Sequence, residues 1–296
     1  MYRKLISASR LKFLWCIMPF LGLSGVVVGE ETVIPEFVIL TASYNNERYC
    51  EAHLASVANQ RSSKPYKVII VNDCSTDSTA ERLDAFVRNH NLGSFVTLIH
   101  NTRRCGSLEN IYSTIHNYIE DHKIVVCVDG DDQLASDSVL LRLEQEYKKP
   151  YIHLTHGTFR WSGTGIVDHI FSKPLAEDVI RSGTLRSSSF FIPTHLKTFR
   201  AGLFKQIRRE SLMFNGSFFE VTGDIGFMFP MFDMLATTHP SEPNHIAFIP
   251  DVLYNYNSEN PISDGTIKAE QQQAMYHYIL NQPPYAPLDK SLLRTS

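Results

Sequence analysis

The sequence has no surplus of basic residues: 28 lysines and arginines stand against 31 aspartates and glutamates, for a formal charge of −3. No nucleic-acid partner is therefore expected, because phosphate binding needs a face rich in Lys and Arg. Neither a GxxxxGKS/T phosphate loop nor a GxGxxG fingerprint occurs, so the two commonest nucleotide-site signatures are missing. No CxxC pair or Cys/His spacing suggests zinc. No segment repeats at a fixed period, which excludes a solenoid. No apolar run reaches the length that normally spans a bilayer. What remains is a chain of 296 residues, 43% hydrophobic and 20% charged, the composition of an ordered globular protein with a proper core.

At the N-terminus Arg3, Lys4, Arg10 and Lys12 precede an uncharged apolar run from Phe13 to Val28, interrupted by Pro19, Gly22 and Gly25 and followed by Gly29, Glu30 and Glu31. Basic, apolar and then small residues is the order of a secretory signal, with Val27 and Gly29 at the cleavage site. Residues 1–29 thus read as a signal peptide or an uncleaved membrane anchor, with an N-terminal helix of the fold as the plain alternative. The expected location is the secretory pathway or beyond it, with membrane association through this segment. Export permits disulfides among Cys50, Cys74, Cys105 and Cys127, but spacing leaves their connectivity open. Cys127 lies in an apolar stretch and reads as a small buried hydrophobe. Asn215-Gly216-Ser217 is a glycosylation sequon, relevant only in a glycosylating pathway.

Four short stretches, Phe37 to Thr41, Lys67 to Val71, Phe95 to Ile99 and Ile124 to Val128, are β-branched and nearly all apolar, as strands buried on both faces are. Helical patterns separate them: Asn46 to Asn59, Asp77 to His90 with Ala80, Leu83, Phe86 and Val87 on one face, and Ser107 to His122 with Leu108, Ile111, Ile115 and Ile119. This alternation predicts an α/β fold with a mostly parallel central sheet and right-handed crossovers. Loops after parallel strands open at the carboxyl edge, where ligands bind. Three polar clusters fall there: Ser43-Tyr44-Asn45-Asn46-Glu47, Asn72-Asp73-Cys74-Ser75 and Asp129-Gly130-Asp131-Asp132. Asp and Asn also favour turns and helix caps, so no single cluster is decisive. Asp129 and Asp131, one residue apart at a strand end, are hard oxygen ligands suited to Mg²⁺ or Mn²⁺ holding a diphosphate.

These segments resemble the family 2 glycosyltransferases. ILTASYNNERY is similar to that family's first-strand motif, VIIVNDCSTDST to its second-strand motif and VVCVDGDD to its metal-binding DxD. The likeness continues in order through Thr155 to Phe159, His195 to Ile207, Thr222 to Met234 and Phe248 to Pro261, and resembles especially a microbial subset carrying HLxTFR and MFPM blocks. It implies a GT-A type fold in a single domain over 36–262. Residues 263–296 carry no readable signal and are expected as a C-terminal tail, either packed on the domain or flexible. The resemblance further implies a sugar nucleotide as donor and a glycan, lipid or protein as acceptor. Tyr44 would line the nucleobase pocket, Asp73 would hydrogen-bond the base or ribose, and Asp129 would contact nucleotide and sugar. Asn45, Glu47, Arg104 and Gly130 would complete the donor site, Asp131 would ligate the metal, and Asp224 corresponds to the catalytic base. Three positions depart from the pattern: Asn72 stands where Asp is usual, and Glu109 and Asn257 where Arg is frequent. Arg103 and Arg104 are the nearby cations able to substitute.

The implied reaction is direct displacement at the anomeric carbon with inversion. An acceptor hydroxyl is a poor nucleophile until a base takes its proton, and a divalent ion stabilises the departing diphosphate. Asp224, at the start of the apolar helical stretch Ile225 to Met234, is the expected base, with an N-cap as its structural alternative and Glu220 in reserve. His195, Lys197 and Arg200 fall in the half expected to meet the acceptor, whereas Phe227, Phe229, Met231 and Phe232 read as core. A second reading is an exported carbohydrate- or nucleotide-binding protein of weak or no turnover. A third, a nucleotidyltransferase, needs a Gly- and Lys-rich first loop that SYNNERY does not provide.

Overall fold

The four expected strands form as β1 (Phe37–Ser43), β2 (Lys67–Asn72), β3 (Val96–His100) and β4 (Ile124–Cys127). They pair in parallel in the order β3-β2-β1-β4. Val38 and Leu40 enter one buried cluster while Phe37 and Ile39 enter the other, so both faces of β1 are covered and its apolar run is continuous. The computed structural model describes residues 36–187, 195–237, 239, 241–262 and 268–289. The signal or anchor expected over 1–29 lies outside the described residues. Among them, no helix is long and apolar enough to cross a membrane.

Helices α1 (Cys50–Ala58), α2 (Thr79–Asn89) and α3 (Ser107–Tyr118) join these strands, and the first two begin later than the apolar pattern suggests. Asn46 and Glu47 are drawn out of α1 because their N–H groups donate to Thr79 Oγ1 at 2.8 Å and Asp77 Oδ2 at 3.1 Å. Asp77 precedes α2 because its Oδ1 accepts from the Thr79 N–H at 3.0 Å and hydroxyl at 2.6 Å, which satisfies free donors at the helix start.

The second half adds β5 (Gln133–Leu134), α4 (Val139–Tyr147), β6 (Leu154–Trp161), α5 (Glu177–Ser182), β7 (Lys197–Arg200) and α6 (Ala201–Phe204). A small hairpin of β8 (Met213–Phe214) and β9 (Ser217–Phe218) then leads to α7 (Gly223–Leu235), β10 (Ile246–Tyr256) and α8 (Ala269–Leu280). The sheet continues from β4 through β7, β6 and β10 to β5. Among the described strands of this sheet, only β7 and β5 run antiparallel to their neighbours, so the sheet is mostly parallel, as expected. Leu54, Leu83 and Leu140 of α1, α2 and α4 pack in one cluster; Ile115, Phe204 and Phe227 of α3, α6 and α7 pack in the other. Full burial of each such side chain contributes about 1.5–3 kcal/mol. Phe229, Met231 and Phe232 are core, as read.

The described part of the C-terminal segment belongs to this fold rather than trailing from it. Ile279 is buried in the cluster that holds α7, with Met275, Tyr276, Tyr285 and Leu288 packed against it. The sequence of α8 is too polar to announce this, because it buries little beyond Ile279.

Candidate active site

A cavity of about 470 Å³ opens where β1, β2 and β4 end, at the carboxyl edge of the parallel strands. Tyr44, Asp73, Arg104, Asp129, Gly130, Asp131 and Asp224 all line it. Asn45 and Glu47 do not. Asn45 Oδ1 accepts from the Thr76 N–H at 2.8 Å and Glu47 Oε2 from the Ser78 N–H at 3.1 Å, so both tie the β1–α1 loop to the β2–α2 loop.

On the side of β1 and β2, Asp73 organises the entry to α3. Its Oδ1 accepts from the Cys105 N–H at 2.8 Å and Asn101 Nδ2 at 2.9 Å, and its Oδ2 from the Gly106 N–H at 2.8 Å. Burial opposes its charge, but Asn110 and these donors hold the carboxyl below its ordinary value. The Arg104 guanidinium lies 3.7 Å over the Tyr44 ring, a cation–π contact facing the cavity. Arg103 instead turns outward to Glu109 at 2.7 Å, so of the two substitute cations only Arg104 faces the cavity. A Cβ on Gly130 would meet Ser43 Oγ at 2.7 Å and Asn46 Nδ2 at 2.8 Å, so only glycine lets the β4 loop approach β1 this closely. Asn46 also lines the cavity, and its buried Oδ1 has no hydrogen-bond partner among the described residues. Such an orphaned acceptor has a ready explanation where a ligand supplies the donor.

The β4 end concentrates negative charge. Asp131 Oδ2 accepts from Asn260 Nδ2 at 2.6 Å, and burial pushes its carboxyl upward. Asp132 also lines the cavity but is buried and engaged: its Oδ2 accepts from the Tyr254 hydroxyl and its Oδ1 from the Asn257 N–H, both at 2.6 Å. Asp129 reaches solvent in the cavity although protein surrounds it. Burial, with Asp131 and Asp224 adding like charge, raises it to about 6 against the pull of Lys197.

Asp224 sits in the first turn of α7, and the Lys197 Nζ donates to its Oδ2 at 2.7 Å. Burial works against its charge, but Lys197 more than offsets this and holds the carboxyl below the ordinary range. His195 stacks on Tyr254 with centroids 4.5 Å apart and lines the cavity beside Lys197. Arg200, in the same half, is buried away from the cavity, with its Nε donating to the Ile152 carbonyl at 3.2 Å. It alternates with Lys197 along β7 by an odd number of residues and so points to the other face. Glu220 lines the cavity and is exposed.

A sequence profile described as glycosyl transferase family 2 matches residues 38–213. The chain belongs to that family. It is similar to the poly-β-1,6-N-acetyl-D-glucosamine synthase of Staphylococcus epidermidis, 29% identical over 136 residues, which are 46% of this chain and 31% of that relative's length. Among solved structures, S. aureus TarS 1–349 superposes with a TM-score of 0.57 at 17% identity, covering 87% of this chain and 68% of that one. Glucosyl-3-phosphoglycerate synthase from Mycobacterium tuberculosis gives 0.54 at 15%, covering 84% and 81%. Mannosyltransferase PcManGT from Pyrobaculum calidifontis gives 0.56 at 16%, covering 88% and 68%. The fold is therefore that of the GT-A glycosyltransferases.

Within this family 2 domain, sequence reasoning did not single out Asn46, Tyr256, Asn260, Lys268 or Gln272, all of which line the cavity. Asn46 stood in the first polar cluster, and Tyr256 and Asn260 in the final matching block, so a signal existed. Lys268 and Gln272 had none, because α8 reaches the cavity only through packing.

Proposed function

We propose that this protein transfers a sugar from a nucleoside diphosphate donor to an acceptor hydroxyl, with inversion at the anomeric carbon. One observation carries the reading: carboxylates from the end of β4 (Asp129 and Asp131) and from the start of α7 (Asp224) converge on a single cavity. In this reading Tyr44, Asn46, Asp73, Arg104 and Gly130 frame the nucleoside and diphosphate. Asp73 has most of its acceptor capacity engaged, which leaves Oδ2 for a ribose or base donor. Asp224 takes the proton of the acceptor hydroxyl as the glycosidic bond forms.

The donor set fits a hard divalent cation, Mg²⁺ or Mn²⁺. Asp129 and Asp131 are crowded carboxylates, both raised, and a cation relieves that repulsion. Among the described residues no group of three or more His, Cys, Asp or Glu side chains is arranged to hold a metal. An ion bound by one or two carboxylates together with substrate phosphates needs no such group. Asp131 would hold it, and when bound it supplies a Lewis acid for the departing diphosphate. The neighbours support this choice: the M. tuberculosis enzyme is seen with Mn²⁺ and UDP, PcManGT with GDP-Man and Mn²⁺, and TarS with UDP-GlcNAc. The acceptor is proposed as a glycan, lipid or protein hydroxyl.

Calorimetric binding of UDP and GDP, with Mn²⁺ and with chelator, tests the donor site, followed by consumption of UDP-GlcNAc and GDP-mannose against acceptor panels. Expected is Mn²⁺-dependent nucleotide binding that Asp131→Ala abolishes without lowering the melting temperature. Equal binding in chelator removes the metal from the reading. Nucleotide binding without turnover on any acceptor favours the carbohydrate- or nucleotide-binding alternative.

A further inference from the structure

Lys197 opens β7 opposite Cys127 of β4 and is only 4% exposed. A buried ammonium without a partner is strongly disfavoured. Its Nζ is engaged by Asp224 Oδ2 at 2.7 Å, and Asp129 attracts it from the β4 side. The two carboxylates also repel each other. Lys197 therefore lies between a residue read as contacting donor and a residue read as activating acceptor. The Asp224 side chain remains 41% exposed, so pairing with Lys197 does not close it off from the cavity.

We propose that Lys197 is the positioning residue of the acceptor-activating carboxylate: it pins Asp224 through Oδ2 and supplies the positive charge that balances it in the cavity. This rests on the reading of Asp224 as general base. Direct contact of Lys197 with a donor phosphate is disfavoured, because the ammonium is shut from solvent and would have to leave the 2.7 Å pair. The groups facing Asp224 are Lys197 and His195, Asp129 and Cys127 of the β4 segment, Tyr256 of β10, and Glu220 ahead of α7 on the same cavity wall. His195 does not replace Lys197 as counter-charge, since burial and Lys197 itself keep its imidazole neutral.

The test follows the Asp224 side-chain carboxyl by ¹³C NMR titration, assigned with Asp224→Asn, in the wild type, Lys197→Met, Lys197→Gln and Lys197→Arg. An opposite charge in contact lowers a carboxyl by about 1–3 units, so Asp224 should titrate at least about one unit higher in Lys197→Met and stay low in Lys197→Arg. Lys197→Gln keeps a donor without charge and should show the same rise, which secures the measurement if Lys197→Met does not fold. In donor-consumption assays, kcat should fall in Lys197→Met with the donor KM unchanged, and the acid limb of the rate profile should move up with the titration. Lys197→Arg should restore the limb. An unmoved Asp224 titration, or a raised donor KM with unchanged kcat, overturns the positioning role and leaves the base reading intact. Full turnover in Asp224→Asn overturns the base reading itself, whatever the Lys197 variants do.

Discussion

Burial pushes the Asp129 carboxyl up to about 6, with Lys197 pulling it down and Asp131 and Asp224 pushing it further up. Its proton is thus held in the folded protein over a range where the unfolded chain has lost it. The stability this contributes is fully present below the unfolded value near 3.8 and is lost as pH rises through about 6. A divalent cation held at Asp131, as proposed, would disfavour the proton on neighbouring Asp129, so metal binding would be linked to proton release. Mn²⁺ affinity in the presence of UDP should rise between about pH 5 and about pH 7, with proton release below about pH 6. Calorimetry in two buffers of different ionisation enthalpy reads that release directly. Asp129→Asn should remove it, and a release that persists in this variant assigns the proton elsewhere.

Helix α7 carries Asp224 in its first turn and Asp233 near its end, and the second of these fastens the C-terminal segment. Arg186 Nε donates to Asp233 Oδ2 at 2.9 Å, and another guanidinium nitrogen donates to the Ile279 carbonyl of α8 at 2.7 Å. The Tyr285 N–H donates to the same carboxylate at 3.1 Å, and the Leu288 N–H to the Met234 carbonyl at 2.9 Å. Both ionic side chains are nearly shut from solvent, at 9% and 1% exposed. Asp233→Ala would leave Arg186 buried and unpaired, a loss of about 3–5 kcal/mol, whereas replacing both partners by apolar residues should cost much less. Urea midpoints of Asp233→Ala and of Arg186→Met/Asp233→Leu compare the two. Equal losses would mean that packing, not the stranded charge, sets the cost.

At the scale of the whole molecule, His156 and His53 are among the described buried groups that contribute to the response to acid. His156 is 1% exposed between Phe232 and Phe248, with neither ring nitrogen hydrogen-bonded among the described residues, and burial pushes it down to about 3. His53 bridges Thr41 Oγ1 at 3.0 Å and the Asp132 carbonyl at 2.8 Å, and burial lowers it to about 4. Both are neutral when folded, while the unfolded chain takes up protons below about 6.5. Stability should therefore fall as pH drops from about 6.5 toward about 4, by up to about 1.4 kcal/mol per unit for each histidine. Asp129 works in the opposite sense over the same window, so the His156 share is read by difference. Urea unfolding of the wild type and His156→Leu between pH 7 and pH 4 should show a shallower acid decline in the variant; parallel declines would exclude His156.

The amino-acid sequence by itself determined the βα alternation and the edge where chemistry gathers. Apolar period and strand length are local properties, and parallel strands must share a carboxyl edge, so Tyr44, Asp73 and Asp131 could be brought to one cleft before any packing was known. Helix starts were less legible, because Asp77 and Thr79 capture the N–H groups of Asn46 and Glu47 from a different loop. Only the tertiary structure decided that Lys197 meets Asp224, that Arg200 on the opposite face of β7 does not, and that α8 closes on α7 and the cavity. Those contacts join residues far apart in the chain, and such pairs are selected by burial and charge pairing in the assembled core rather than by local periodicity.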